Sequence, residues 1–137
     1  MSYKKRDLID YWIEKSYKAK EIANFNIEKD YYDFAVSDLY YSVFYMVTAY
    51  LTLKEISFKK HSAVRSFFHR ELIKKGIINL NFSKIYDELY FSREEADYSP
   101  FPKFYKEEIK FLYDQTENLL KELEKIIKKE MENNDYT

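Results

Sequence analysis

The stretch SREEADYSP, Ser92 to Pro100, sets a guanidinium, a carboxylate and a phenol close together: Arg93, Asp97 and Tyr98, just before the chain's only two prolines. A guanidinium offers a planar fork of donors that suits phosphate, and a neighbouring phenol can donate or accept. The plainer reading is a structural ion pair, because Asp97 follows Arg93 at the spacing where opposite charges meet on one helix face. Counting back in helical steps puts Arg93 on the ladder of Ile85, Tyr86, Leu89 and Tyr90, toward packed surface. A permanent cation there needs an anion, whether Asp97 or a ligand.

Two further groups bear on chemistry. His61, Arg65 and His69 fall on one slanting row of a helix, among Lys59, Lys60, Arg70, Lys74 and Lys75, with Glu71 the only acid in the stretch. This basic stretch reads either as a footprint for a phosphate backbone, with Lys60 and Arg65 contributing, or as a solvated helix face. The two histidines lack the spacing and carboxylate company of a metal site, so no metal and no cofactor is expected. Asp38 lies among Phe34, Tyr41 and Tyr45 and needs a donor if buried. Arg93 across a bundle, a tyrosine hydroxyl or partial exposure would each serve.

These residues must be positioned by helices. The chain has 137 residues with one Gly and two Pro, far too few turn formers for a strand-rich fold. An all-α single domain over 1–137 is expected. Net charge is -1, which gives no global attraction to nucleic acid and leaves any such binding to a local patch. There is no Cys, no apolar signal core and no run long enough to span a bilayer. A soluble, cytoplasmic protein is the expectation, with no membrane association. The 15 Tyr and 11 Phe are enough to furnish packing seams or a partner surface as well as a core.

Apolar spacing predicts helices from about Lys5 to Asn26, from Asp30 to about Lys54, from about His61 to a left-handed cap at Gly76, from about Phe82 to Tyr98, and from near Lys103 onward. The second is apolar nearly all round, with Phe34, Ala35, Leu39, Val43, Phe44, Met46, Val47 and Leu51, and belongs at the centre. Residues 128–137 read as a frayed tail.

Three pieces in this order, AVSDLYYSVFY, the KHS that opens helix three, and R-x-x-A-D-Y closing helix four, carry a resemblance. From about Trp12 to Leu123 the chain resembles the HEPN superfamily (higher eukaryotes and prokaryotes nucleotide-binding), in its short stand-alone prokaryotic branch of toxin–antitoxin type. The resemblance implies a four- to five-helix up-and-down bundle that forms a homodimer, with a polar cleft at the bundle or dimer seam. Many such proteins are metal-independent endoribonucleases, often the toxin partnered by a minimal nucleotidyltransferase antitoxin. Their motif is an Arg followed after a short spacer by a His.

Carried over by position, Arg93 matches the motif Arg and Asp38 the acid of the second helix, while Tyr98 stands where the shortest spacer would place the His. His61 replaces the imidazole if the start of helix three meets the end of helix four. Arg65 and His69 are one residue too close for the motif and lie on another helix. The expected site thus has Arg93, His61 and Asp38 as catalytic residues, and Arg93, Asp97, Tyr98, Lys60 and Arg65 as binding residues. The expected function is RNA or nucleotide binding by a toxin-like protein, with a degenerate ribonuclease motif. The alternative is a non-catalytic interaction module that partners a nucleotidyltransferase.

Overall fold

With one glycine in the chain, most helices have to be ended by other means. In the computed structural model, which describes residues 1–135, helix α1 spans Tyr3–Glu28 and begins where Ser2 Oγ accepts the Lys5 N–H at 3.2 Å. Helix α2 spans Tyr32–Leu53. Each is followed by a non-glycine residue in the left-handed region, Asp30 at φ 61° and Glu55 at φ 59°. That conformation costs about 1 kcal/mol or more for a residue with a Cβ. The glycine itself, Gly76, has φ 74° and serves as the expected cap.

Helix α3, His61–Phe67, runs directly into a π-helical segment, Phe68–Ile73. Helix α4, Asn81–Tyr98, stops as Ser99 turns extended ahead of Pro100, the geometry a following proline favours. Helix α5 spans Lys106–Asp135. The sequence pattern locates all five helices but treats residues 61–76 as one regular helix, and does not detect the π turns.

Helix α2 is the hub, packing against α1, α4 and α5. Ala35, Val36, Leu39, Met46 and Val47 are fully buried, and the core runs as one cluster from Ile9 to Met131. Ser16 Oγ ties α1 to α2 by donating to the Ser42 carbonyl at 2.5 Å. Not every apolar residue of the pattern turns inward: Leu8, Ile22 and Phe34 remain exposed.

The frayed tail expected over 128–137 is helical through Asp135, with Met131 buried and Glu130 paired to Lys54 at 2.7 Å. Its last two positions lie outside the described residues. Among the described residues, no helix is long and apolar enough to cross a membrane.

Candidate functional site

Three elements meet at Tyr40. It lies mid-way along α2, is 1% exposed, and is fixed by edge contacts with Tyr86 and Tyr90 of α4, at ring separations of 6.4 and 6.0 Å. One turn further along α4, Arg93 lays its guanidinium 5.0 Å from the Tyr40 ring centre, within the range of a cation–π contact. His61, the first residue of α3, comes within 2.7 Å of the Tyr40 hydroxyl through Nδ1. The start of α3 and the end of α4 therefore converge on the same tyrosine.

Arg93 is 8% exposed, as its position on the inward ladder requires. Its Nη1 donates to Asp97 Oδ2 at 3.2 Å, a long contact for a charge-assisted bond. Its Nε is buried with no hydrogen-bond partner among the described residues. One carboxylate with two-fifths of its side chain exposed leaves most of the donor fork unused. Asp97 is held in turn by Ser37 Oγ at 3.4 Å. Such an arrangement offers an anion site on a preformed cation.

The His61 ring packs on Phe44 at 4.5 Å and meets the edge of Tyr41 at 5.8 Å. Burial lowers the imidazole pKa from its ordinary value, and the nearby Arg93 charge lowers it further. The ring is thus neutral at neutral pH. The Tyr40 hydrogen bond engages Nδ1 and fixes the ring, so that Nε2 is the nitrogen left for a ligand. Burial pushes the Tyr40 phenol well up, with Arg93 pulling part of the way back. Tyr40 therefore keeps its proton and acts as a hydrogen-bonding group.

The remaining expected residues are placed elsewhere. Asp38 does not meet Arg93: its donor is Asn26 Nδ2 near the end of α1, at 2.7 Å. Burial raises its pKa, with the Asn26 bond opposing. Tyr98 is 78% exposed and takes no part in the Arg93, Tyr40 and His61 contacts. Lys60 is exposed just before α3.

The row His61, Arg65, His69 divides. Arg65 Nε and His69 Nε2 both reach Asp87 Oδ1 at 2.7 Å. Arg65 also lies over the Tyr90 and Phe91 rings at 5.3 and 5.0 Å. These two residues clamp the third helix to α4, and the Phe68–Tyr86 stack at 4.5 Å closes the same seam. Sequence reasoning passed over Tyr40 and Asp87. The available signal for Asp87 was its position on α4, two turns before Glu94 and nearly three before Asp97; nothing in the sequence singles Tyr40 out from its many neighbours.

The HEPN domain description matches residues 9–127. The chain belongs to the HEPN family. The match takes in all three elements that converge on Tyr40. This HEPN chain is 32% identical over 124 residues to a UPF0332 protein of Thermotoga maritima, covering 90% of the chain and 94% of that relative. It is 39% identical over 108 residues to a protein of Methanocaldococcus jannaschii named "Putative toxin", covering 79% of the chain and 73% of that relative. The all-α bundle is that of a HEPN protein, and Arg93 lies within the matched region.

Proposed function

We propose that this HEPN protein is a toxin-like RNA-binding protein in which Arg93 grips a backbone phosphate beside the His61 imidazole. The observation that carries the reading is Arg93 itself: nearly buried, stacked on Tyr40, and bonded to one carboxylate while its Nε has no partner. A phosphate would fill the unused donors with paired hydrogen bonds. The kinship with a protein named as a putative toxin supports the toxin-like part.

The same geometry supports metal-independent cleavage. A neutral imidazole beside a phosphate can take the proton of the adjacent ribose 2′-hydroxyl at Nε2. The 2′-oxygen then forms its bond to phosphorus as the bond to the 5′-oxygen breaks, and the leaving oxygen takes a proton from solvent. The products are a 2′,3′-cyclic phosphate and a 5′-hydroxyl. Arg93 would stabilise the extra negative charge on the phosphoryl oxygens. Asp97 positions Arg93, while Asp38, Lys60 and Arg65 lie outside the reacting centre.

A second reading is favoured by a separate observation. Tyr98, Phe101 and Tyr105 are exposed at 78%, 84% and 66% around the connection from α4 to α5, an aromatic surface suited to a protein partner. A minimal nucleotidyltransferase antitoxin or a second copy of the chain would fit there, with RNA binding absent.

The test is incubation of the purified protein with single-stranded RNA in chelator, beside Arg93→Ala and His61→Ala. Arg93→Ala should lose binding, and His61→Ala should keep binding but lose cleavage. A wild type that neither binds nor cuts RNA better than Arg93→Ala overturns the proposal and leaves the partner-module reading.

A further inference from the structure

Helix α2 turns a second row of side chains toward solvent beside the Arg93 site. Phe34, Ser37 and Tyr41 lie on successive turns of it, because residues three and four apart share a helix face. Ser37 is joined to the site directly: its Oγ donates to Asp97 Oδ1 at 3.4 Å, and Asp97 Oδ2 accepts from Arg93 Nη1 at 3.2 Å. Tyr41, one turn further on, meets the edge of the His61 ring at 5.8 Å. Phe34 and Tyr41 are thus about 10 Å apart along the axis, and the chain of bonds to Arg93 leaves α2 between them.

The two rings are not equivalent. Tyr41 is half-buried and makes edge contacts with Tyr40 and Phe44 as well as with His61. Phe34 is 63% exposed. A ring held open to water gains when a flat partner covers it. Its surroundings decide which partner. Asp33 precedes it, Asp38 follows one turn on, and Asp97 reaches Ser37 from α4. These carboxylates disfavour a second phosphate or an acidic protein surface at Phe34, but not the uncharged part of a nucleotide. The basic groups Lys59 and Lys60 stand at the other side of the site, just before His61. Charge therefore sorts a bound strand, with backbone toward α3 and a base toward the start of α2.

We infer that Phe34 is the stacking platform for a base adjoining the phosphate on Arg93. Stacking needs only a π face, which every base has, so the contact accepts any base that is unpaired. The inference rests on the RNA-binding reading above and adds to it the residue that holds a base.

The test uses dinucleoside monophosphates, which carry one phosphate and so have one register on Arg93. Three are compared: both bases present, the 5′ base removed, and the 3′ base removed, each with a 2′-O-methyl group that blocks cleavage. They are titrated by NMR against wild type, Phe34→Leu, Phe34→Trp and Arg93→Ala. Phe34→Leu keeps an apolar side chain at an exposed helical position, so folding is not at stake. Wild type should lose roughly tenfold in affinity when one of the two bases is removed, the scale of one base on one aromatic ring, and much less for the other. Phe34→Leu should bind the intact dinucleotide about as weakly as wild type binds the abasic one, and Phe34→Trp should keep the wild-type difference. Arg93→Ala should weaken all three alike.

If Arg93→Ala weakens binding but Phe34→Leu matches wild type on all three, the phosphate site stands and the platform is overturned. If wild type binds none of them, both readings fall. If Phe34→Leu changes the sedimentation of the free protein and leaves dinucleotide binding as it was, a second copy of the chain covers the ring, which also overturns the inference.

Discussion

The Tyr40 hydroxyl sits 2.7 Å from His61 Nδ1 and so ties the middle of the central helix to the first residue of α3. The same tyrosine carries Arg93 on its ring face. A residue of the hydrophobic core is therefore also the residue that brings the imidazole and the guanidinium together, which makes packing and function separable only by a substitution that keeps the ring.

Tyr40→Phe is that substitution. The ring and its contact with Arg93 remain, while His61 loses its partner. Urea unfolding should show a loss of about 1 kcal/mol, the net value of one hydrogen bond. RNA affinity should change little and cleavage should fall, because the imidazole is no longer held. A parallel loss of affinity would show that Tyr40 acts on Arg93 as well.

Stability should depend on pH through His61. Its pKa in the folded protein lies below the ordinary 6.5, so the unfolded chain takes up the proton first as pH falls. The stability tied to the neutral ring is complete above about 6.5 and declines as pH drops from there toward the folded value. Asp87 acts in a lower window. Burial raises its pKa, but the Arg65 and His69 bonds outweigh that and hold it below 3.8. Its contribution is complete above that value and is lost as pH falls through the folded one. Unfolding midpoints measured across this range should show the upper step vanish in His61→Gln and the lower step vanish in Asp87→Asn.

Asp87→Asn should also weaken the seam directly. Arg65 and His69 share one oxygen of this carboxylate, and with a third of the side chain exposed the loss should be about 1–2 kcal/mol. Hydrogen exchange should rise in α3 and the π segment while α1 and α2 stay protected. Uniform loosening of the whole bundle would contradict a local clamp.

Salt dependence isolates Arg93. If it neutralises one phosphate, Arg93→Ala should reduce the slope of log affinity against log salt by about 0.7, the value per contact on a single strand. An unchanged slope with lower affinity would assign Arg93 a structural part instead.

Met131→Ala tests the end of α5. With its side chain buried against the core, the change should cost about 2 kcal/mol or more. A cost near zero would return residues after 128 to the status of a loose end.

What could be read from the sequence was whatever a single helix determines. Arg93 was placed inward by its ladder, and its Asp97 partner by the four-residue spacing, because both follow from helical geometry alone. A meeting of helix three's start with helix four's end was posed as a condition, and in the structure His61 and Arg93 each reach Tyr40. Which residue joins them was hidden, since Tyr40 is one of 15 tyrosines and any of them fits a core. For Asp38 the sequence left Arg93, a tyrosine hydroxyl and partial exposure open, and the short turn between α1 and α2 brings Asn26 alongside instead. The division of the His61, Arg65, His69 row was out of reach for another reason: His61 and Arg65 share one regular helix, and which of them meets α2 and which meets α4 is set by how the helices pack, with Tyr40 facing the first and Asp87 the second.

The π segment has a consequence for how this chain can change its length. Over Phe68–Ile73 each turn closes on a carbonyl five residues back, as in Lys74 N–H to His69 O at 2.9 Å. Removing one residue there would restore an ordinary helix without breaking it. The wide turn already absorbs the rotation of its extra residue, so the helix on either side of the deletion would keep its facing. A single-codon deletion there would leave a bundle in which Leu72 and Ile73 stay buried and His61 and Arg65 still meet Tyr40 and Asp87, whereas the same deletion in a regular turn would rotate them by about 100°.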